Sequence, residues 1–257
     1  MPPVALTIAG SDPSGGAGIQ ADLKTFHRFG VYGQAVITLI TVQNTKAVLR
    51  VETLSPDLVL EQIRAVVSDI PPNAAKTGAL GTAEIIEALA EAAVSFTFPL
   101  VVDPVMISKH GARLVSANAE QVLKEKLLPR AFLVTPNIPE AEALTGMTIC
   151  SEKDMALAAE RLLDFGCKAA LVKGGHLQGD PVDVLGWAGT HCSFRGSRVN
   201  TPHTHGTGCT YSAAITAGLA RNKDLSEAIS EAKQFVQRAI EQAPGLGRGI
   251  GPLNHMA

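Results

Sequence analysis

Short apolar runs alternate with longer amphipathic stretches along most of the chain. The runs are made of consecutive Val, Leu, Ile and Ala residues, which is typical of strands buried on both faces. Between them, apolar residues recur three or four positions apart and predict amphipathic helices. The predicted strands cover 4–9, 36–42, 74–77, 100–102, 132–134 and 169–172, and the predicted helices cover 17–29, 57–68, 82–94, 117–127, 152–165, 210–221 and 225–242.

The order of these elements predicts the fold class. Strands that alternate with helices form a mostly parallel central sheet with helices on both faces. The alternation stops after Gly174 and Gly175, where 182–187 and 191–195 predict an antiparallel hairpin at one edge of the sheet. Because no repeat or linker divides the chain, we predict a single α/β domain over residues 1–257.

Polar side chains follow five of the predicted strands at the point where each strand ends. Parallel strands share one carboxyl edge, and ligands of such sheets bind at that edge. We therefore expect these side chains to surround an active site. They are Gln43 with Asn44, Lys76 with Thr77, Asp103, Asn137 and Lys173.

A glycine-containing loop at 205–209 leads directly into the predicted helix 210–221. Glycines allow a ligand to approach the backbone, and the first turn of a helix offers unpaired N–H groups to an anion. Cys209 lies in this loop, and a helix N-terminus lowers the pKa of a thiol. Taken alone, the stretch fits equally well a loop-to-helix turn with a small buried cysteine.

Two nucleotide-binding motifs are approached but not matched. The loop that starts at Gly10 lacks the Lys-Ser/Thr pair of a Walker A motif. The stretch from Gly16 to Ala21 lacks the acidic partner that a dinucleotide-binding motif places beyond the next strand. Asp12 and Asp22 are the polar groups that this first loop and its helix present.

Composition narrows the class of partner. With 18% charged residues and a net charge of −2, the chain has no basic surface for a nucleic acid, so a small molecule is the expected partner. The N-terminus has neither a basic segment nor a long apolar run, which predicts a cytoplasmic protein without membrane association. The four cysteines are spaced unlike a zinc site or a disulfide framework, so each is predicted to be a free thiol.

The candidate side chains together indicate phosphoryl transfer. Asp103 and Glu140 offer carboxylates, which favour a hard cation such as Mg²⁺. Lys173 and the N–H groups of the glycine loop suit phosphoryl oxygens. The sequence therefore predicts a kinase site on a fold without a P-loop.

Eight segments, in order and spread over nearly the whole chain, resemble the hydroxymethylpyrimidine and phosphomethylpyrimidine kinases of thiamine biosynthesis, within the ribokinase-like superfamily. They are 9–25 (AGSDPSGGAGIQADLKT), 43–45 (QNT), 76–78 (KTG), 102–106 (VDPVM), 135–144 (TPNIPEAEAL), 172–176 (VKGGH), 205–210 (HGTGCT) and 251–255 (GPLNH). The resemblance implies a ribokinase-like fold, a homodimer, and ATP-dependent phosphorylation of 4-amino-5-hydroxymethyl-2-methylpyrimidine and then of its monophosphate.

The resemblance also assigns residues to the acceptor and the metal. Asp22 and Gln43 are expected to hold the aminopyrimidine ring, with Gly10 and Val105 beside it. The Asn-x-x-Glu motif that starts at Asn137 is expected to organise Mg²⁺ through Glu140, together with Asp103.

Further residues are assigned to ATP and to the transfer step. Lys173, Lys233, Asn137 and Lys109 are expected to contact ATP. Gly206, Thr207, Gly208 and Cys209 are expected to form the anion hole for the transferred phosphoryl group. Cys209 is also expected to take the proton of the hydroxymethyl group from a partly ionised state.

One position departs from the family pattern. Many relatives carry Met after the Lys-Thr-Gly motif, where it packs on the pyrimidine, whereas this chain has Ala79. The extra room leaves a pyridoxal or pyridoxine kinase of the same family as an alternative. A ligand-binding regulator on a kinase scaffold is a further alternative, which the intact set of Asn137, Glu140, Lys173 and the glycine loop disfavours.

Overall fold

The computed structural model describes residues 1–106, 111, 116 and 118–257. Within them, nine strands form one sheet in the order β3-β2-β1-β4-β5-β6-β7-β8-β9. The strands are β1 Val4–Ser11, β2 Tyr32–Gln43, β3 Val48–Thr53, β4 Ala74–Thr77, β5 Leu100–Val102, β6 Leu133–Val134, β7 Ala169–Lys173, β8 Val182–Trp187 and β9 Thr190–Arg195.

Eight α-helices connect these strands in the described part of the chain. They are α1 Gly18–Arg28, α2 Pro56–Asp69, α3 Ala83–Ala92, α4 Ala119–Val122, α5 Ile138–Thr145, α6 Glu152–Leu163, α7 Thr207–Ala220 and α8 Leu225–Glu241. A π-helical turn over Leu123–Leu127 and a 3-10 turn over Leu128–Arg130 continue α4, and a 3-10 turn over Ala93–Ser95 follows α3.

The six central strands, from β2 to β7 in the sheet, run parallel, which confirms the predicted α/β class. The predicted hairpin is β8 and β9, which pair antiparallel at one edge. The opposite edge is also antiparallel, because β3 pairs with β2. The sequence analysis did not predict β3, whose side chains are half-buried or exposed and so lack the apolar run of an inner strand.

Both faces of the sheet are covered by apolar packing, which explains the continuous runs in the strands. On β1, Leu6 and Ile8 point into a core cluster with α2, α3, α5 and α6. Ala5 points into a second cluster, which includes residues of α1, α7 and α8. Helices on both faces were predicted, and the two clusters confirm them.

The helix α7 begins three residues earlier than the sequence predicts. Gly206 is its N-cap residue, with φ +83°, and Thr207, Gly208 and Cys209 form its first turn. All of its residues from Thr210 to Ala220 are buried, so the helix has no polar face. The predicted glycine loop is therefore the N-cap and first turn of a buried helix. No described helix is long and apolar enough to cross a membrane.

Candidate active site

One cavity of about 780 Å³ opens at the carboxyl edge of the parallel strands. Most of the predicted site residues line it, and they come from the ends of β1, β2 and β7, from the loops after β5 and β6, and from the starts of α5 and α7 and the middle of α8. Those residues are Gly10, Gln43, Asp103, Val105, Asn137, Glu140, Lys173, Gly206, Thr207, Gly208, Cys209 and Lys233. Lys109 lies outside the described residues, so its predicted contact with ATP is not tested.

The start of α7 comes so close to the loop before α1 that a side chain at position 206 has no space. A Cβ on Gly206 would lie 1.8 Å from the Gly16 carbonyl oxygen, and the positive φ also requires glycine. A Cβ on Gly208 would lie 3.4 Å from Lys173 Nζ. Thr207 N donates to the Thr204 carbonyl at 3.3 Å, whereas Gly208 and Cys209, as the next residues of the first turn, have no intrahelical acceptor for their N–H groups. The first turn of α7 thus lies beside a lysine.

Lys173 and Asp103 form an ion pair at the cavity surface. Lys173 Nζ donates to Asp103 Oδ1 at 2.9 Å, and the other carboxylate oxygen accepts from Ser212 Oγ at 3.1 Å. Burial acts to raise the pKa of Asp103, but the nearby Lys173 and Lys76 outweigh it and the net shift is downward. Asp103 is therefore a carboxylate at neutral pH, and Lys173 is a cation next to the anion-binding turn.

The Asn137-x-x-Glu140 motif forms a capping box at the start of α5. Asn137 Oδ1 accepts from the Glu140 N–H at 3.0 Å, and Glu140 Oε2 accepts from the Asn137 N–H at 2.9 Å. Burial, and secondarily the charge of Asp103, raises the pKa of Glu140 to about 7 although Lys173 opposes the shift. Two carboxylates thus lie near each other, and one is only partly ionised at neutral pH.

The structure does not favour the expected lowering of the Cys209 pKa, although the side chain is partly exposed at the cavity. Burial raises the pKa of its thiol to about 11, although Lys76 and a Gly18 N–H act in the opposite direction. A helix N-terminus lowers the pKa of a thiol, but desolvation is the larger effect here. Cys209 is therefore a neutral thiol near pH 7.

Asp22, which the resemblance assigns to the pyrimidine ring, does not line the cavity. It is fully buried, and the described residues that line the cavity do not include it. Its two oxygens accept from Thr7 Oγ1 at 2.6 Å and from Lys76 Nζ at 2.8 Å. The expected contact with the pyrimidine ring therefore conflicts with this geometry. Asp22 is instead the partner of a buried lysine, because a cation without a partner is costly in the protein interior.

Two further acidic residues, which the sequence analysis did not assign, organise the cavity wall. Asp183 on β8 accepts from Lys233 Nζ at 2.6 Å, so this predicted ATP ligand already has a carboxylate partner. Asp12 accepts from the backbone N–H groups of Gly16 and Ala17 and pairs with His205 Nε2 at 2.8 Å. The signal for Asp12 was its place in a Ser-Asp-Pro-Ser-Gly-Gly turn, where Asp commonly accepts from backbone groups that follow it.

Taken together, the cavity combines cations, a helix N-terminus and a carboxylate pair. Lys173, Lys233 and the first turn of α7 provide positive charge and donors for phosphoryl oxygens. Gln43, the last residue of β2, adds a side-chain amide to the cavity wall. Such an arrangement can bind a polyphosphate next to a small polar ring and stabilise charge during transfer between them.

Comparison with known proteins agrees with this chemistry. The family model for phosphomethylpyrimidine kinase matches residues 12–254. The chain is 46% identical to a hydroxymethylpyrimidine/phosphomethylpyrimidine kinase of Bacillus subtilis, over 98% of this chain and 94% of that protein. It is 49% identical to a thiamine biosynthesis bifunctional protein of Geobacter sulfurreducens, and that match covers 98% of this chain but only 52% of the larger protein.

A solved structure gives the same fold. The ADP complex of Bacillus subtilis pyridoxal kinase superposes with a TM-score of 0.92 at 38% identity, covering all of this chain and 98% of that one. The predicted ribokinase-like fold is thereby confirmed. With a family model that matches residues 12–254 and close relatives that match nearly all of its length, the chain belongs to the phosphomethylpyrimidine kinase family.

Proposed function

We propose that this protein transfers the γ-phosphoryl group of ATP to the hydroxymethyl group of 4-amino-5-hydroxymethyl-2-methylpyrimidine and then to the resulting monophosphate. The observation that carries the proposal is the shared cavity, in which Gln43, Lys173 and the first turn of α7 face one space. The relatives named for this activity support the choice of acceptor.

The acceptor ring is assigned to the end of the cavity near β1 and β2. The Gln43 amide offers both a donor and an acceptor, which matches the amino group and ring nitrogen of an aminopyrimidine. Gly10 and Val105 line the same cavity and provide backbone and apolar contact. Asp22 does not contact the ring. It supports the site by pairing with the buried Lys76.

ATP is assigned to the part of the cavity formed by β7, β8 and α8. Lys173 and Lys233 neutralise phosphate charge, and each has a carboxylate partner from which it can turn to a phosphate. Because Asn137 Oδ1 caps α5, its side-chain nitrogen is the group left to donate to the nucleotide. The turn Gly206, Thr207, Gly208 and Cys209 binds the transferred phosphoryl oxygens, to which its N–H groups donate; that of Thr207 must first leave the Thr204 carbonyl.

Asp103 and Glu140 fit a bound Mg²⁺. Mg²⁺ is usually held by one or two carboxylates together with substrate phosphates. The raised pKa of Glu140, to about 7, reflects burial first and then the charge of Asp103, and a bound cation held by these residues would reduce that repulsion. When bound, the ion neutralises charge on the phosphates.

The proton of the hydroxymethyl group is assigned to Cys209. Because the pKa of the thiol is about 11, only a small fraction is thiolate at neutral pH. The rate of the proton transfer therefore increases as the pH rises. In a loose phosphoryl-transfer transition state, positioning and charge stabilisation supply most of the catalysis, so a scarce base is tolerated. Cys209 thus contributes both its backbone N–H and, in its minor ionised form, a proton acceptor.

Pyridoxal is the second candidate acceptor, and Ala79 is the observation that favours it. Ala79 lines the cavity, and its carbonyl accepts from Thr38 Oγ1 at 2.6 Å, which fixes its backbone. A side chain as small as alanine leaves space beside the ring for a larger acceptor. The solved pyridoxal kinase shares the fold at 38% identity.

A coupled assay of ADP formation tests both candidates. The pyrimidine alcohol, its monophosphate and pyridoxal are supplied separately with ATP and Mg²⁺, and Lys173→Met is the matched inactive control. We expect kcat/KM to be highest for the pyrimidine alcohol or its monophosphate. A higher value for pyridoxal would assign the chain to the alternative, and binding of the pyrimidine without ADP formation would indicate a regulator.

Three wider assignments belong to the same proposal. Residues 1–257 act as one kinase domain, which the single sheet supports. Two copies form a homodimer, which the exposed apolar side chains of Ile40, Val42 and Leu49 on β2 and β3 support, and light scattering at twice the mass of one chain is the expected result. The cytoplasm is the expected location, in agreement with the four free cysteines.

A further inference from the structure

The C-terminal segment 247–255 contacts two separate parts of the cavity wall. One is the turn between β2 and β3, at Thr45, two residues after Gln43. The other is the start of α7, on both sides of the anion-binding turn 206–209. The contacts are made through backbone groups and the side chains of Thr45, Thr210 and His255. Within the segment, Gly251, Leu253 and His255 are buried, whereas Gly247 and Arg248 are exposed.

At the β2–β3 turn the segment packs with no space for a side chain. Ile250 N donates to the Thr45 carbonyl at 2.8 Å, and Gly249 N donates to Thr45 Oγ1 at 3.3 Å. A Cβ on Gly249 would lie 2.0 Å from the Thr45 carbonyl oxygen and 2.9 Å from Lys46 Cα. These are backbone atoms, so a side chain at position 249 forces the segment and the turn apart.

At the start of α7 the segment holds the residues that flank the anion-binding turn. His205 N donates to the Gly251 carbonyl at 3.0 Å, and His205 is the residue before Gly206. Thr210 Oγ1 lies 3.1 Å from His255 Nε2, and Thr210 is the residue after Cys209. Thr210 is fully buried, and His255 is 8% exposed. The four residues of the turn are thus tied to the C-terminal segment at both ends.

We propose that the segment 247–255 sets the position of the anion-binding turn relative to the acceptor end of the cavity, with Thr45 and Gly249 as positioning residues for phosphoryl transfer. The inference rests on the proposed function, because it takes Gln43 as an acceptor contact and 206–209 as the transfer site. Displacement of reacting groups by about 1 Å costs on the order of 100-fold in rate. The segment also touches α8, where Asn254 N donates to the Ala239 carbonyl at 3.0 Å, but Lys233 lies six residues earlier on that helix and Lys173 lies on β7.

The main test is the variant Gly249→Ala, whose kcat and KM are measured with ATP and with the acceptor. We expect kcat to fall about 10- to 100-fold, since the added methyl separates the segment from Thr45, while KM for ATP stays within about twofold. Leu246→Ala is the matched control, because Leu246 precedes the segment and its side chain is 60% exposed. Its kcat is expected to equal that of the wild type.

A second pair of variants decides the matter if Gly249→Ala does not fold. Thr45→Val removes the acceptor of the Gly249 N–H, and Thr45→Ser restores it. We expect Thr45→Val to lower kcat about 3- to 10-fold, as for loss of a hydrogen bond worth about 1 kcal/mol, and Thr45→Ser to recover to within twofold. All assays are run well below the lowest Tm of the set, so that unfolding does not contribute.

Two results would overturn the inference. One is a kcat within twofold of the wild type in Thr45→Val, and in Gly249→Ala where that variant folds. The other is a loss that Thr45→Ser does not rescue and that follows the fall in Tm. The kinetics use whichever acceptor the wild type phosphorylates, so failure with the pyrimidine alone overturns the proposed acceptor and leaves the positioning role to be decided by the variants. A wild type that phosphorylates no acceptor overturns both.

Discussion

Two lysine–aspartate pairs lie near the centre of this molecule, and they differ in exposure rather than in chemistry. Lys76 and Asp22 are 2.8 Å apart with both side chains 0% exposed. Lys173 and Asp103 are 2.9 Å apart, but Lys173 keeps 12% of its side chain exposed to the cavity. A pair closed off from solvent cannot exchange its partners for a ligand, whereas a pair at a cavity surface can. The first therefore supports the site, and the second takes part in it.

The largest expected effect comes from breaking the closed pair. Lys76→Met leaves Asp22 buried without a cation, and removal of one partner of a buried pair costs about 3–5 kcal/mol. We expect the free energy of unfolding, measured by urea titration, to fall by this amount. The double variant Lys76→Met/Asp22→Asn is the control and should regain part of the loss. A fall below about 1 kcal/mol in the single variant would show that the pair is not closed off.

Breaking the open pair should act on catalysis instead. Lys173→Met removes a cation beside the first turn of α7, and loss of one donor to a developing charge costs about 100- to 1,000-fold in kcat. Asp103 retains its hydrogen bonds from Thr135 and Ser212, so the loss of stability should be smaller than in Lys76→Met. ADP formation and urea titration on the same preparations give the comparison. If both variants lose stability equally and keep their activity, the distinction between the pairs is wrong.

A change at the cavity that touches neither pair sharpens the comparison. Ala79→Met restores the bulk that many relatives have beside the ring. One apolar contact is worth about 1–3 kcal/mol of discrimination, so the ratio of kcat/KM for the pyrimidine alcohol to that for pyridoxal should rise about 10- to 200-fold. Ala79→Ser, which adds little volume, is the control. An unchanged ratio would show that position 79 does not select the acceptor.

A smaller effect is expected at Cys209, whose pKa is influenced by the charge of Lys76 in the closed pair. Lys76 lowers the pKa of the Cys209 thiol, which burial raises to about 11, so Lys76→Met should raise that pKa further. The thiolate is the reactive form, and its fraction near pH 8 should fall by a factor of a few. Alkylation of Cys209 by iodoacetamide, followed by mass spectrometry, measures it against Cys192, which is exposed. Equal alkylation in the variant and the wild type would contradict this role of Lys76.

The pH dependence of catalysis follows from the same value. A thiol with a pKa of about 11 is protonated below that pH, so a step that needs the thiolate gains tenfold for each unit of pH. We expect log kcat/KM of the wild type to rise with pH through the range from 7 to 9. The Cys209→Ser variant, whose hydroxyl does not titrate there, should keep only the rise near pH 7 that belongs to Glu140 and should be flat from pH 8 to 9. Full activity in Cys209→Ala would remove Cys209 as the proton acceptor.

The inner sheet was predictable because strands buried on both faces leave continuous apolar runs. β4 and β5 have the predicted bounds, and the edge hairpin begins at Val182 as expected. β3 and α5 were missed for different reasons. β3 is an edge strand with exposed residues, and α5 is only eight residues long, although its capping box of Asn137 and Glu140 was visible in the sequence.

The site residues at strand ends were predictable from the sequence, whereas the roles of more deeply buried residues were less so. Residues such as Gln43, Asp103 and Lys173 follow apolar runs, and the topology brings them to one cavity. The roles of Asp22 and Cys209 depend on how far their side chains are buried, which the spacing of residues along the sequence does not show. Asp22 lies one turn into a helix, and only the packing of Lys76 and Thr7 around it shows that it faces inward. The pKa of Cys209 likewise depends on burial by distant parts of the chain.

The central claim is that this cavity transfers a phosphoryl group to a small-molecule alcohol. A single-turnover experiment with γ-³²P-labelled ATP, Mg²⁺ and excess enzyme follows the label after addition of 4-amino-5-hydroxymethyl-2-methylpyrimidine. We predict that the label appears in the pyrimidine monophosphate with the wild type and far more slowly with Lys173→Met. Label that appears only as inorganic phosphate, or that stays in ATP, would contradict the account.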